Sequence, residues 1–181
     1  STNYGSIVYV KTAVAFNYLM AYLGEDKMDE IMSVYFQKWK FKHPQPEDFE
    51  AVVIEVTGDS LKWFFDDVIR STRKMDYSVS QIKKEEGKLR VKVRNNGNIA
   101  GPFPLSLMSG KDTVSIKWFT GIENTEWIEI DCADCDRVIL DGQEVTPDIN
   151  RKNNTMRVNG VFRKVEKLQP RFAAYFENPY R

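Results

Sequence analysis

The hydrophobic period of this 181-residue chain changes from 3.6 to 2 residues near residue 75. Before that point apolar residues recur at helical spacing, whereas after it they alternate with polar residues as in strands. Such a sequence cannot form one uniform helical array or one uniform sheet. It predicts an α+β fold, with a helical segment over residues 1–75 and an antiparallel β domain after it.

The helical segment is predicted to contain about four short antiparallel helices. The stretch from Tyr9 to Leu23 is apolar nearly all round, which is typical of a buried helix. Gly24 ends it, and an apolar stripe from Met28 to Trp39 predicts the second helix. Similar stripes over residues 46–58 and 60–69 predict the third and fourth helices.

The C-terminal part contains short alternating segments separated by glycine-containing turns. They are Tyr77–Val79, Leu89–Val93, Val114–Trp118, Trp127–Ile130 and Arg137–Leu140. Strands of this length predict an Ig-like antiparallel β-sandwich over residues 76–150. Residues 151–181 carry eight basic side chains against two acidic ones, a net charge of +6, and we interpret this segment as a basic tail or linker.

Composition excludes several classes of function. The chain carries 26 basic and 26 acidic side chains, so its charge does not indicate a nucleic-acid partner. No apolar run reaches the roughly 18 residues of a membrane-spanning helix. The only histidine is His43, whereas zinc motifs combine several histidines or cysteines. We therefore expect no metal and no cofactor bound by this chain alone, and we interpret His43 as a structural residue at a helix end.

Cys132 and Cys135 form a C-x-x-C motif in a predicted strand–turn–strand. A structural zinc site needs four ligands, and a redox C-x-x-C normally opens a helix after a strand, so neither context is present. We interpret the pair as two thiols. A short disulfide in an exported protein, and a metal or redox role, stay open as alternatives.

No complete catalytic constellation is present in the sequence. The adjacent pair Asp66-Asp67 points to two faces of a helix and cannot converge as acid and base. The remaining candidates are Tyr4 and Tyr9, which precede the buried helix. A protonated phenol can donate a hydrogen bond to an oxyanion, although tyrosines at a helix start more commonly pack with their hydroxyls in water.

The segment around these tyrosines resembles a known family. Residues 4–12 read Y-G-S-I-V-Y-V-K-T, with Y-L at 18–19 and L-G at 23–24. They are similar to the segment that follows the zinc site in the aminopeptidase N-like gluzincin metallopeptidases, where Y-x-K-G opens a long buried helix ending in L-G. The similarity runs over most of residues 4–70, and the β domain looks like the one that follows in bacterial members.

The resemblance implies a role for both tyrosines. Tyr9 matches the tyrosine that donates a hydrogen bond to the oxyanion when zinc-bound water attacks the scissile carbonyl, and Tyr4 matches a second tyrosine facing the active site. The family's H-E-x-x-H zinc motif is not in this sequence. The resemblance therefore implies a C-terminal fragment of a zinc aminopeptidase, inactive alone, with zinc and the peptide substrate bound in the longer parent.

The match is incomplete at two positions. Thr12 replaces the glycine after the lysine, and Val10 replaces the glutamate common before it, which leaves aminopeptidase specificity open. A parent without zinc also stays open. The rival hypothesis is a non-catalytic binding or scaffolding module whose β-sandwich contacts a protein partner. The resemblance to bacterial members implies export to the periplasm or cell envelope.

Overall fold

The computed structural model describes residues 6–85 and 87–159. The chain divides between Thr72 and Arg73 into two compact parts, here called the helical unit and the sheet unit. Among the described residues, the helical unit has four helices and the sheet unit has two antiparallel sheets. The predicted α+β class, with helices first and antiparallel strands after them, is confirmed.

The helical unit begins with a π-helical segment that continues directly into the first α-helix. The elements are the π-helical segment Ser6–Lys11, α1 (Thr12–Leu23), α2 (Glu25–Trp39), α3 (Pro46–Thr57) and the π-helical α4 (Trp63–Ile69). Gly24 and Gly58 join them at φ values of 88° and 72°, which glycine adopts without the steric cost of a Cβ. None of the described helices is both long and apolar enough to cross a membrane.

An aromatic cluster forms part of the core of the helical unit, together with buried aliphatic side chains. Phe64 of α4 is completely buried, and its ring centroid lies 6.3 Å from Phe16 and 5.0 Å from Phe65. Helix α1 differs from its prediction, because only Ala15, Tyr18 and Leu19 are fully buried. A helix that is apolar nearly all round is therefore covered completely on one side only.

The described residues of the sheet unit, 73–85 and 87–159, form seven strands in two sheets. They are β1 (Tyr77–Glu85), β2 (Lys88–Asn95), β3 (Phe103–Ser109), β4 (Asp112–Phe119), β5 (Thr125–Asp131), β6 (Arg137–Leu140) and β7 (Thr155–Arg157). One sheet has the order β1-β2-β5 and the other the order β4-β3-β6-β7. Strand β1 also contacts β6 and β7, so the two sheets form a sandwich-like unit with apolar side chains between them.

The strand order differs at one position from that of a constant-type immunoglobulin domain. There the fourth strand pairs with the fifth. Here β4 pairs with β3, with Leu105 opposite Lys117. Strand β7 lies within the segment 151–181, which the sequence analysis assigns to a tail, and Met156 is buried opposite Val138 of β6. The sandwich therefore extends beyond residue 150.

Two buried carboxylates organise the connection between β6 and β7. Asp141 accepts hydrogen bonds from the backbone N–H groups of Val145 (2.8 Å) and Thr146 (2.9 Å), and it pairs with Arg151 at 2.8 Å. Burial raises the pKa of this carboxyl group, and these bonds oppose the shift. The connection is therefore ordered by polar contacts as well as by apolar packing.

Asp148 ties the same connection to the first strand. Its Oδ2 accepts the backbone N–H of Tyr77 at 3.0 Å, and its Oδ1 accepts that of Asn150 at 2.7 Å. Burial raises the pKa of Asp148 to about 6, since desolvation disfavours the charged carboxylate more than these bonds favour it.

Candidate functional site

The candidate site is the π-helical segment that carries Tyr9. The Tyr9 side chain is 70% exposed, and its hydroxyl has no hydrogen-bond partner in the described part of the chain. π-Helical turns are rare and occur frequently at functional sites. An exposed phenol at such a turn is a hydrogen-bond donor available to a ligand. The second predicted site residue, Tyr4, lies outside the described residues.

Lys11 fixes the end of this segment two residues after Tyr9. Its Nζ donates hydrogen bonds to the backbone carbonyl oxygens of Ser71 (2.9 Å) and Ile69 (3.3 Å). These carbonyls lie at the C-terminal end of α4, where a positive charge is favourable. Partial burial lowers the pKa of the ammonium group. Lys11 thus links the two π-helical elements of the helical unit.

The end of α4 is itself tied to α3. Arg70, the residue after α4, forms ion pairs with Glu50 of α3 and with Asp66 one turn earlier, and its Nη1 lies 3.2 Å from the Asp66 carboxylate. The hydrogen bond to Glu50 raises the pKa of the guanidinium. The segment carrying Tyr9 is therefore connected through Lys11 to a helix end that is itself held by α3.

Lys11 positions the segment, a role that is not predicted from the sequence. The residue itself belongs to the Y-x-K pattern, so the sequence marks its position but not its contacts. Nothing in the sequence, however, identifies the carbonyls of Ile69 and Ser71 as its partners, since about 60 residues separate them from the lysine.

The described residues hold no group of three or more histidine, cysteine, aspartate or glutamate side chains that could bind a metal ion. The donor set around Tyr9 is therefore not that of a zinc site. What the segment offers chemically is one exposed phenol on an anchored helical turn.

The two cysteines form a disulfide, which corrects the interpretation as thiols. Cys132 and Cys135 are bonded, with their Cα atoms 5.8 Å apart, inside the usual range for disulfides. Cys135 is buried, and the N–H of Cys132 donates to the carbonyl oxygen of Gly87 at 3.0 Å. The end of β5 thus positions the pair, and the alternative left open by the sequence is the one observed.

The other residues considered in the sequence are His43 and Asp66. His43 is exposed in the connection between α2 and α3, four residues beyond the last residue of α2, so the predicted helix-end position is wrong. The helix dipole acts within the last turn. Asp66 is an ion-pair partner of Arg70, in keeping with a structural role.

Comparison with known structures finds a likeness to part of a peptidase. Aminopeptidase A of Legionella pneumophila, solved in complex with aspartic acid, is similar with a TM-score of 0.64 and 16% sequence identity. The similar region covers 77% of this chain and 17% of the aminopeptidase. This chain therefore has the fold of one region of that enzyme and spans less than a fifth of its length.

Comparison with models of known protein families gives no match, and comparison with curated protein sequences gives none either.

Proposed function

We propose that this chain is the region of a zinc-dependent, aminopeptidase N-like peptidase that follows the zinc site. The observation that carries the proposal is the likeness in fold to the Legionella aminopeptidase over 77% of this chain. It is supported by the order of the Y-x-K, L-G and later motifs in residues 4–70. The proposal includes an Ig-like identity for the sheet unit.

The proposed role of Tyr9 is to stabilise the oxyanion that forms during peptide hydrolysis. A tyrosine hydroxyl can donate a hydrogen bond to a negatively charged oxygen. The exposure of Tyr9 and the anchoring of the segment by Lys11 support this role, since a catalytic donor must be both accessible and fixed. Tyr4 would assist it or shape the pocket.

Exposed apolar side chains of the helical unit also support a larger parent. Met32 and Phe36 of α2 are 43% and 66% exposed, and Phe41 in the following connection is fully exposed. Apolar surface of this kind commonly marks an interface. In the proposed parent, the remainder of the catalytic domain would cover this surface, and the helices of this chain would form one wall of the peptide cleft.

Zinc does not fit the residues that the structure describes, because no three or more potential metal ligands lie together among them. Under the proposal, the zinc ligands and the catalytic glutamate belong to other parts of the parent, and this chain alone has no activity. The Cys132–Cys135 disulfide supports export, because disulfides persist in oxidising compartments.

The test is to express the complete gene product that contains this chain, and the 181-residue chain in parallel, and to assay both with an aminoacyl-coumarin substrate. We expect the gene product to cleave the substrate and to lose activity on zinc chelation, whereas the chain alone is inactive. Hydrolysis by the isolated chain with one bound zinc would contradict the proposal. A gene product without peptidase activity would favour the binding-module hypothesis.

A further inference from the structure

A cleft of about 420 Å³ lies at one end of the four-stranded sheet. It is lined by the β3–β4 turn, the start of β6 and the end of β7, through Gly110, Asp136, Arg137, Arg157 and Asn159. Clefts of this volume are typical of sites for small ligands. The residues that line it carry more positive than negative charge.

The two arginines of the cleft lie directly opposite each other. Arg137 of β6 pairs in register with Arg157 of β7, so both side chains project from the same face of the sheet. Like charges in this arrangement repel each other. Within residues 6–85 and 87–159, no carboxylate forms an ion pair with either guanidinium, and Nε of Arg137 is buried without an acceptor.

The carboxylate of the cleft is already engaged with the backbone. Oδ2 of Asp136 accepts the N–H of Gly110 at 3.0 Å, while Nη2 of Arg137 donates to the carbonyl oxygen of Gly110 at 2.6 Å. The N–H of Val158 donates to the backbone oxygen of Asp136 at 2.8 Å. These bonds fix the turn and one arginine in advance, and preorganisation of this kind favours binding.

Charge and donor geometry identify the class of ligand. Two arginines and one aspartate leave a net charge of +1 on the lining, which a single carboxylate neutralises and a phosphate dianion exceeds. The planar guanidinium matches a carboxylate with two parallel hydrogen bonds. The side-chain amide of Asn159 supplies further donors. The volume of the cleft also leaves room for the atoms that carry the carboxylate.

We infer that this cleft binds a carboxylate, with Arg157 as the principal ligand residue and Arg137 as the preorganised second one. The carboxylate belongs either to a small acid or to the C-terminus of a peptide. The inference does not depend on the proposed peptidase function, because it uses the sheet unit alone.

The test is a titration of the ¹⁵N-labelled 181-residue chain with N-acetylglycine at constant ionic strength, followed by the amide signals of Gly110 and Asn159. We expect saturable shifts of both signals. The neutral analogue N-acetylglycinamide should cause none, and inorganic phosphate should bind more weakly. Arg157→Gln should weaken binding by about tenfold or more. Arg157→Lys should weaken it by less, since lysine keeps the charge but cannot donate the two parallel hydrogen bonds of a guanidinium.

Arg94→Gln is the matched control, because Arg94 is an exposed arginine of the other sheet, and this variant should bind as the native chain does. The inference is overturned if the shifts do not saturate, if the neutral analogue binds equally, if phosphate binds more tightly, or if Arg157→Gln changes nothing. Tighter binding of acetyl-trialanine than of N-acetylglycine would identify a peptide C-terminus as the source, and equal binding would identify a small acid; both uphold the site.

Discussion

The helical unit and the sheet unit differ in how they cover their apolar side chains. In the helical unit Tyr9, Phe36 and Phe41 are largely exposed, whereas the exposed large apolar residues among the described strands are Val114 and Ile116 of the edge strand β4. The sheet unit also encloses a polar network around Asp141 and Asp148. The sheet unit therefore covers its apolar side chains more completely than the helical unit does.

The two units therefore derive their stability from different contacts. Apolar surface that stays exposed does not contribute to folding, because burial from water is the source of hydrophobic stabilisation. The helical unit therefore depends on a small apolar core that includes the aromatic cluster, while the sheet unit combines a larger apolar core with buried hydrogen bonds. Substitutions in each unit should show how strongly its stability depends on apolar packing and on buried polar contacts.

The largest effect is expected for Phe64→Ala. Removing this fully buried ring leaves a cavity in the aromatic cluster and should lower the free energy of unfolding of the helical unit by about 3–5 kcal/mol. Urea unfolding followed by circular dichroism at 222 nm measures it. The control is Phe41→Ala, which alters a fully exposed ring and should change the stability by less than about 0.5 kcal/mol. Equal effects of the two variants would disprove the assigned core.

The next effect is a pH dependence of the sheet unit due to Asp148. Its pKa of about 6 when folded exceeds the value of about 3.9 in an unfolded chain, so its contribution to stability is full below about pH 4 and is lost as the pH rises through 6. Relative to Asp148→Asn, the native chain should lose about 2 kcal/mol of unfolding free energy between pH 4 and pH 7.

Amide signals of Val91 and Leu107, which are buried in the two sheets, report this unfolding. Asp112→Asn, at an exposed position of β4, is the control and should follow the native pH profile. If the unfolding free energy of the native chain instead rises over the same pH range, the fold stabilises the charged carboxylate of Asp148.

A smaller effect is expected for Lys11→Met. The substitution keeps most of the apolar stem but removes the hydrogen bonds to the carbonyls of Ile69 and Ser71, which should cost the helical unit about 1–2 kcal/mol. Lys27→Met is the control, since Lys27 makes only an exposed ion pair with Glu30 at 2.6 Å. If both variants have the same stability, Lys11 is not an anchor.

The smallest effect is expected for the surface ion pair between Lys38 of α2 and Glu55 of α3. Both side chains are about half exposed, so their coupling in a double-mutant cycle of Lys38→Gln and Glu55→Gln should be about 0.2–1 kcal/mol and should fall in high salt. A coupling above 2 kcal/mol would show that surface charge, rather than the aromatic core, holds these helices.

The helices followed from local signals, and two strands did not. Apolar stripes and glycine positions predicted all four helices, because helix periodicity and turn conformation are local properties. Strand β3 was missed because it is buried on both faces and contains Pro104, which removes the alternation typical of a half-buried strand. Strand β7 has only three residues in a basic segment, so no period is visible.

The candidate site was predictable only in part. The Y-x-K pattern identified Tyr9 through a family resemblance, but the contacts of Lys11 and the pairing of Arg137 with Arg157 depend on residues far apart in sequence or on a strand that was not predicted. The disulfide between Cys132 and Cys135 was open for a similar reason, since the spacing fits several outcomes and the fold decides among them.

The most direct test of the proposed role of Tyr9 as an oxyanion donor is the steady-state kinetics of Tyr9→Phe in the complete gene product. We expect kcat to fall by about 10² or more with KM nearly unchanged. Tyr35→Phe, a half-buried tyrosine that packs 5.4 Å from Phe49, is the control and should keep native kinetics. A native kcat in Tyr9→Phe would contradict the proposed role of Tyr9.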